Sequence, residues 1–505
     1  MKLPAKILAV PTIFLLGYLA VRLINQSLMI SNFPLDGSSQ DYCSHIANLF
    51  FLGKYGFHAA VPNWYDGNYI LFKYYPFAWH FFSLPFLKIT GDATAAAFIS
   101  LTAMYFIGFL LIWKFGSIIK ISRVARMVFF AFFFVNPVAI GVFLKLGKLP
   151  EMFGWLVFFG LASLLYYYKN KNVDLQFAAL FTGIMTLLFY SHTLVFITSF
   201  VFVAGFLFYK LIKKEFKFVF AALACGAIVL ILATPLLLNL LDASNADKYA
   251  VANSGSFYPL KWLLLNNASS LNDKLFSTAA PLAFLFLFAL SYLTKKIKDE
   301  FMFYSLPLAF AAIYLLRWPA YFPIINRATP DMYGMLFLFY SLVMLFKLDT
   351  EKLHKLLRTG LSAALIILPI AGIVASTIIT PWFSTHSETA SETISLLDNV
   401  NGKFIVIGSP VTEVRDACVY SYGAIYKNLK TPLGWSPIAI PKASAELTRA
   451  VSIAAKADNC KELQLAAHNT GVGVTDLVLY GAHCSALELC FNSKIIKTNA
   501  CLMKL

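Results

Sequence analysis

Apolar runs of 16 to 24 residues, separated by short polar breaks, recur along the chain from Ile7 to Thr380. As α-helix, a run of that length spans the ~30 Å of hydrocarbon in a bilayer. In lipid, an open segment satisfies its own backbone hydrogen bonds only as a helix. The pattern predicts eleven transmembrane helices, at about 6–25, 95–113, 127–144, 151–168, 175–190, 193–211, 218–240, 277–294, 301–316, 332–346 and 360–380. The first run lacks a small-residue cleavage site and is read as a retained span. Residues 76–91 are apolar but short and carry Trp79, His80, Pro85 and Lys88. They are predicted to lie in the interface as a helix that does not cross. Beyond residue 380 the pattern changes. GKFIVIGSP and TDLVLYGAH read as short buried strands and ASAELTRAVSIAAKA as a helix. The fold class expected is therefore an all-α polytopic membrane domain, 1–380, followed by a small α/β domain, 381–505.

Charge orients this arrangement. With 76–91 kept on one side, the N-terminus and loops 114–126, 169–174, 210–217, 295–300 and 347–358 hold 19 Lys/Arg against six acids. The opposite loops hold 11 against nine, and the tail 11 against ten. Cytoplasmic loops carry the basic excess, so the N-terminus is predicted inside and the tail outside. The chain is 59% hydrophobic and only 13% charged, with net charge +16. Because that excess sits in one set of loops, it is a topology signal and not a nucleic-acid site.

The outer face then collects polar residues from distant parts of the chain. Segment 26–91 is the first long polar interruption, with Asp36 and Asp41 early in it and His45 four residues after Asp41. If a helix starts there, Asp41 and His45 share a face; the plainer roles are a turn for Asp36 and a helix cap for Asp41. A run of aromatics follows, including Trp64, Tyr69, Tyr74 and Tyr75. Trp64, Tyr74 and Tyr75 are candidate substrate contacts, although Trp and Tyr also collect at membrane interfaces without catalytic cause. Lys145 and Lys148 precede Glu151 at the outer start of the fourth span. They read as phosphate contacts beside a sugar- or acceptor-binding carboxylate, or as snorkelling lysines and a helix-start acid. His192 closes the fifth span as a substrate contact or a helix-end residue. Arg317 and Arg327 flank a Pro-rich outer loop and are candidate phosphate clamps or headgroup anchors.

These elements resemble the GT-C glycosyltransferases, membrane enzymes that take a sugar from a polyprenyl-phosphate carrier, and among them the pyruvoyl-tetrahydropterin-synthase-related membrane proteins. The resemblance is carried by Asp41-Tyr-Cys-Ser-His45, Gly56 to Trp64, Gly67-Asn68, Tyr74-Tyr75-Pro76-Phe77, Gly147-Lys148-Leu149-Pro150-Glu151 and Ser191-His192. Family members often have a second Pro where this chain has Phe77. The likeness covers most of 1–380 and implies a GT-C-like membrane fold with a catalytic outer loop, 26–91. It implies that an outer-loop Asp acts as base or orients the acceptor, Asp41 first and Asp36 second. The donor implied is a polyprenyl-phosphate-linked sugar, and the acceptor a glycan, lipid or protein. Some members use a divalent cation such as Mg or Mn and others do not. Asp36 with Asp41 or Glu151 are the carboxylates to hold one, and their spacing leaves both options open. The other readings of the chain are a non-catalytic membrane subunit of the same fold and a transporter or flippase for a lipid-linked anion. The transporter would want charge near the bilayer midplane and repeated halves, and neither is visible.

The tail holds five of the seven cysteines: Cys418, Cys460, Cys484, Cys490 and Cys501. Within the tail one is expected to stay unpaired while four form two disulfides. No CxxC supports zinc, and no GxGxxG, P-loop or HExxH occurs anywhere in the chain. The tail shows no catalytic pattern.

Overall fold

The computed structural model describes residues 5–36, 41–245, 249–251, 271–294, 300–315, 330–348, 353–380, 382–408, 414–435, 439–457, 459–469, 473–481, 484 and 494–504. Among the described residues, eleven apolar helical segments stand where spans are expected. They are α1 (Ala5–Gln26), α4 (Ala93–Ile118), the pair α5 (Arg123–Phe134) and α6 (Pro137–Ala139), α7 (Leu149–Tyr168) and α8 (Leu175–Ser191). Then follow α9 (Thr193–Ile212), α10 (Phe216–Asn245), α11 (Leu271–Leu293), α12 (Phe301–Leu315), α13 (Pro330–Lys347) and α14 (Lys355–Ile379). Among the described residues, six helices are long and apolar enough to cross a membrane: α1, α4, α7, α9, α10 and α14. Four of the expected spans (α8, α11, α12 and α13) are shorter apolar helices. The remaining one is broken. The expected helix over 127–144 bends by 49° between α5 and α6. Pro137 lacks an N–H and disfavours helix at the residue before it. Asn136 is extended there, and its Oδ1 caps Val138 and Ala139, each at 3.0 Å. A π-helical turn over Ile140–Lys145 continues the chain.

Helix α7 is central and mostly buried, whereas α14 is peripheral and mostly exposed. Phenylalanines do much of the filling. Phe129, Phe159 and Phe339 pack around Phe115 at edge-to-face and tilted angles, with centroids 5.4–5.9 Å from it.

Two helices of segment 26–91 lie outside this set. α2 (Tyr42–Tyr55) and α3 (Ala78–Thr90) have 14 and 13 residues. At 1.5 Å per residue α3 is about 20 Å long, short of the hydrocarbon. It starts at Ala78, so Pro76 precedes the helix. It ends at Gly91, whose φ of 69° is left-handed. Asp92 then caps α4, accepting from the Ala95 N–H at 2.6 Å. That turn separates α3 from α4 and prevents one long helix.

The two ends of the bundle carry different polar contacts. At one end, Glu300 bridges Lys169 at 2.6 Å and Lys347 at 2.5 Å, joining three of the basic loops. At the other end α1 and α14 finish together. Arg22 donates to the Thr380 carbonyl at 2.7 Å and lies 4.1 Å from the Trp382 ring centroid. Asn25 exchanges hydrogen bonds with the Phe383 backbone.

The C-terminal part is a small sheet domain. Strands β4 (Lys403–Gly408), β6 (Val474–Tyr480), β7 (Lys494–Ile496) and β8 (Ala500–Lys504) form one sheet in the order β4-β6-β8-β7. β4 and β6 run parallel, and the remaining pairs run antiparallel. α15 (Glu388–Leu396), α16 (Asp416–Tyr426), α17 (Lys442–Lys456) and α18 (Cys460–Asn469) complete it. Small strands also occur at β1 (Ala60–Val61), β2 (Tyr69–Ile70), β3 (Tyr249–Val251) and β5 (Ala439–Pro441).

This domain is docked on segment 26–91. The Tyr65 N–H donates to the Leu433 carbonyl at 3.2 Å, and the Thr431 N–H to the Asn63 carbonyl at 2.9 Å. Lys403 pairs with Asp66 at 2.9 Å. β3, from the loop after α10, pairs with β5 of the tail. Cys43 is disulfide-bonded to Cys418. The cysteine expectation is corrected here, because the odd tail cysteine pairs outside the tail. Cys484 bonds Cys501 and Cys460 is also disulfide-bonded, while Cys225 is free and buried.

Candidate active site

Asp41 occupies the N-cap of α2 without capping it; its side chain makes no cap hydrogen bond. Its backbone N–H donates to the Leu146 carbonyl at 3.0 Å, which joins the start of α2 to the turn before α7. That turn needs Gly147. Its φ is +73°, and a Cβ there would clash with the Tyr42 ring. Gly147→Ala should therefore destabilise the protein by about 1–3 kcal/mol, as strained left-handed backbone and overpacking do. The check is a thermal melt in detergent, and an unchanged melting temperature would refute the assigned turn.

Lys148 follows at the N-cap of α7, and Glu151 sits in the first turn of that helix. Glu151 is buried, 3.7 Å from Lys148. Asp41 is only half-buried, yet desolvation raises its carboxyl above the ordinary range, with Lys148 and then Arg415 pulling against that rise. Tyr75 completes the group. Burial first, then Asp41 and Glu151, push its phenol well up, so it stays a protonated donor. The expected helix face also forms. The His45 N–H donates to the Asp41 carbonyl at 3.0 Å, and its ring lies against Tyr75 at 5.7 Å and Trp435 at 5.4 Å. Burial, then His192, push His45 down to about 3, so its imidazole is neutral at physiological pH.

The remaining expected residues divide. Lys145 is buried and pairs with Asp36 at 3.1 Å, also reaching the Trp382 carbonyl at 3.5 Å. This pair braces the site beside Asp41. Asp36→Ala would leave a buried ammonium without its carboxylate, a cost of about 3 kcal/mol. Asp36→Ala with Lys145→Met should lose less, measured as denaturation midpoints in detergent; equal losses would break the pairing argument. His192 caps α9, its Nδ1 accepting from the Val195 N–H at 3.4 Å, and also acts on His45. Trp64, expected to touch substrate, is instead wholly buried against Phe51, with centroids 4.9 Å apart, and beneath Gly434. It is a packing residue under the docked tail. Tyr74 is also buried, its ring 5.1 Å from Lys73 Nζ. Arg317 and Arg327 lie outside the described residues. Among those described, no group of three or more His, Cys, Asp or Glu is arranged to hold a metal ion.

Sequence reasoning missed two residues of the tail, Arg415 and Trp435. Nothing in the tail's pattern marks them; the one available signal was its odd cysteine.

No family model matches the chain, and no curated protein matches it in sequence. The pyruvoyl-tetrahydropterin-synthase-related resemblance thus rests on its motifs alone. Solved structures do match. One cryo-EM structure of the arabinofuranosyltransferase AftD from Mycobacteria superposes with a TM-score of 0.56 at 13% identity, over 98% of this chain and 38% of that one. A mutant of the same enzyme gives 0.50 and 13%, over 95% and 37%. The chain thus spans well under half the length of that enzyme. At this identity the likeness is one of fold alone.

Proposed function

We propose that the chain is an integral-membrane glycosyltransferase that moves a sugar from a polyprenyl-phosphate donor to an acceptor on a glycan, lipid or protein. The observation that carries this reading is Asp41. It is a carboxylate at a helix N-cap that does no capping, raised by burial and faced by Lys148, Arg415 and Tyr75. An acceptor hydroxyl attacks the anomeric carbon and gives its proton to Asp41. The bond from that carbon to the phosphate oxygen breaks, and the electron pair leaves with the lipid phosphate. Lys148 stabilises the charge that develops there, and Arg327 and Arg317 are assigned the same role. Glu151, Tyr75 and the neutral His45 are assigned to sugar hydroxyls. No step is assigned to a metal ion.

The site end of the bundle is assigned to the extracytoplasmic face, with the N-terminus cytoplasmic. The sparse basic residues at that end support this. So do the disulfides, which persist in oxidising compartments.

The test is a transfer assay. Purified protein receives a panel of radiolabelled polyprenyl-phosphate sugars with host membrane extract as acceptor. Label should move with the wild type. If no donor in the panel gives transfer from folded protein, the non-catalytic subunit reading takes its place.

A further inference from the structure

Three helices begin at the same place. The N-caps of α2, α7 and α16 are Asp41, Lys148 and Arg415; Asp41 makes no cap hydrogen bond, and the other two are donors that cannot make one. The starts are tied by covalent and hydrogen bonds. Asp41 N–H to Leu146 carbonyl joins α2 to α7. The Arg415 N–H donates to the Leu35 carbonyl at 2.9 Å, one residue before Asp36. Cys43, two residues after Asp41, is bonded to Cys418, three after Arg415. Helix N-termini carry unpaired N–H groups and partial positive charge. Folding alone favours Ser, Thr, Asn or Asp at an N-cap and disfavours a cation there. Here two of the three N-caps are basic. A second observation points to a ligand. His45, one turn beyond Asp41, is buried at 1% exposure, and its Nδ1 has no hydrogen-bond partner. Its ring lies against the partly exposed Trp435, which also belongs to the tail.

We propose that the joined N-termini of α2, α7 and α16 form a phosphate subsite, closed from the C-terminal domain by Arg415. The tail is then a wall of the substrate site and not an appendage. Lys148 and Arg415 flank the anion, and the helix N–H groups add to their field. Asp41 lies between the two cations as the base, and a dianionic or monoanionic phosphate enters beside it. Trp435 and His45 lie where the group attached to the phosphate would rest, the indole against a ring face and Nδ1 accepting from a hydroxyl. The identity of that group rests on the glycosyltransferase reading; the phosphate does not.

The source of the phosphate, a lipid headgroup or a free anion, is separated by the probes. Full-length protein in detergent is titrated with farnesyl phosphate, with farnesol, and with farnesyl phosphate against millimolar inorganic phosphate. The wild type should bind farnesyl phosphate at least tenfold more tightly than farnesol. Arg415→Gln should weaken farnesyl phosphate by about 10- to 100-fold, the span of one charge-assisted hydrogen bond. It should leave farnesol unchanged. Arg415→Lys, which keeps the charge, should retain most of the affinity and serves as the folding control. Displacement by inorganic phosphate would show that a free anion suffices; displacement only by farnesyl phosphate itself would assign the site to a lipid phosphate. Equal binding of farnesyl phosphate by wild type and Arg415→Gln overturns the proposal, as does equal binding of farnesyl phosphate and farnesol. Intact phosphate binding without sugar transfer would sink the enzyme reading and leave this subsite standing.

Discussion

Asp41→Asn should abolish sugar transfer and at the same time raise the melting temperature at neutral pH. Loss of a positioned base costs about 10²- to 10⁴-fold in rate, and Asn cannot take the acceptor's proton. The stability change follows from linkage. Burial raises the Asp41 carboxyl above its ordinary value, and Lys148 and Arg415 only partly offset this. Between the ordinary and the folded value, the native state binds more protons than the unfolded chain. Stability therefore falls as pH rises through that window. Above it the ionised Asp41 is a standing cost, of the kind active sites carry. Asn removes the charge without changing the shape. The gap between variant and wild type should close as pH falls below the ordinary carboxylate range. Transfer by the wild type should show an acid limb above that range, since the base must be ionised. Lys148→Gln should move the limb further up in pH, because the larger opposing cation is gone. An Asn variant that melts earlier than wild type at neutral pH would make Asp41 a structural counter-ion to the two cations. An Asn variant that still transfers sugar would move the base elsewhere.

Much of this arrangement was legible in the pattern of the chain. Apolar runs marked the helices because lipid forces backbone groups to pair within a segment. The loop charges grouped loops 169–174, 295–300 and 347–358, and Glu300 with Lys169 and Lys347 brings those three together. The spacing of Asp41 and His45 marked one helix face, and the 147–151 element marked the turn that meets it. Asn136-Pro137 is a break signal, and the expected helix over 127–144 runs straight through it. Trp64 misled because a Trp in a polar loop looks the same whether it faces solvent or lies beneath a docked domain. Arg415 and Trp435 were illegible for a different reason. Their place depends on contacts between residues hundreds of positions apart, and local pattern carries no such information. Cysteine counting within the tail came close, but Cys43 lay inside the loop assigned to chemistry and was not counted as a partner.

Breaking the Cys43–Cys418 bond should weaken the donor site more than the chemistry. The bond spans 375 residues and fixes the start of α16 beside the start of α2. A cross-link over so long a loop contributes about 2–5 kcal/mol. It is not the sole tether. Lys403 with Asp66, the pairing of 63–66 with 431–433, and β3 with β5 also hold the domain. Cys418→Ser should therefore loosen the domain without releasing it. Arg415 then samples positions away from Lys148, and the donor KM should rise about tenfold or more. Asp41, Lys148 and Glu151 sit on α2 and α7 and keep their geometry, so kcat should change little. Cys43→Ser and the double variant should match Cys418→Ser, because all three remove one and the same bond and their effects do not add. Protease sensitivity between the bundle and the sheet domain should increase in parallel. A donor KM that stays at the wild-type value while the bond is broken would mean that the remaining contacts alone set the position of Arg415. A fall in kcat with constant KM would place the bond in the service of Asp41 instead.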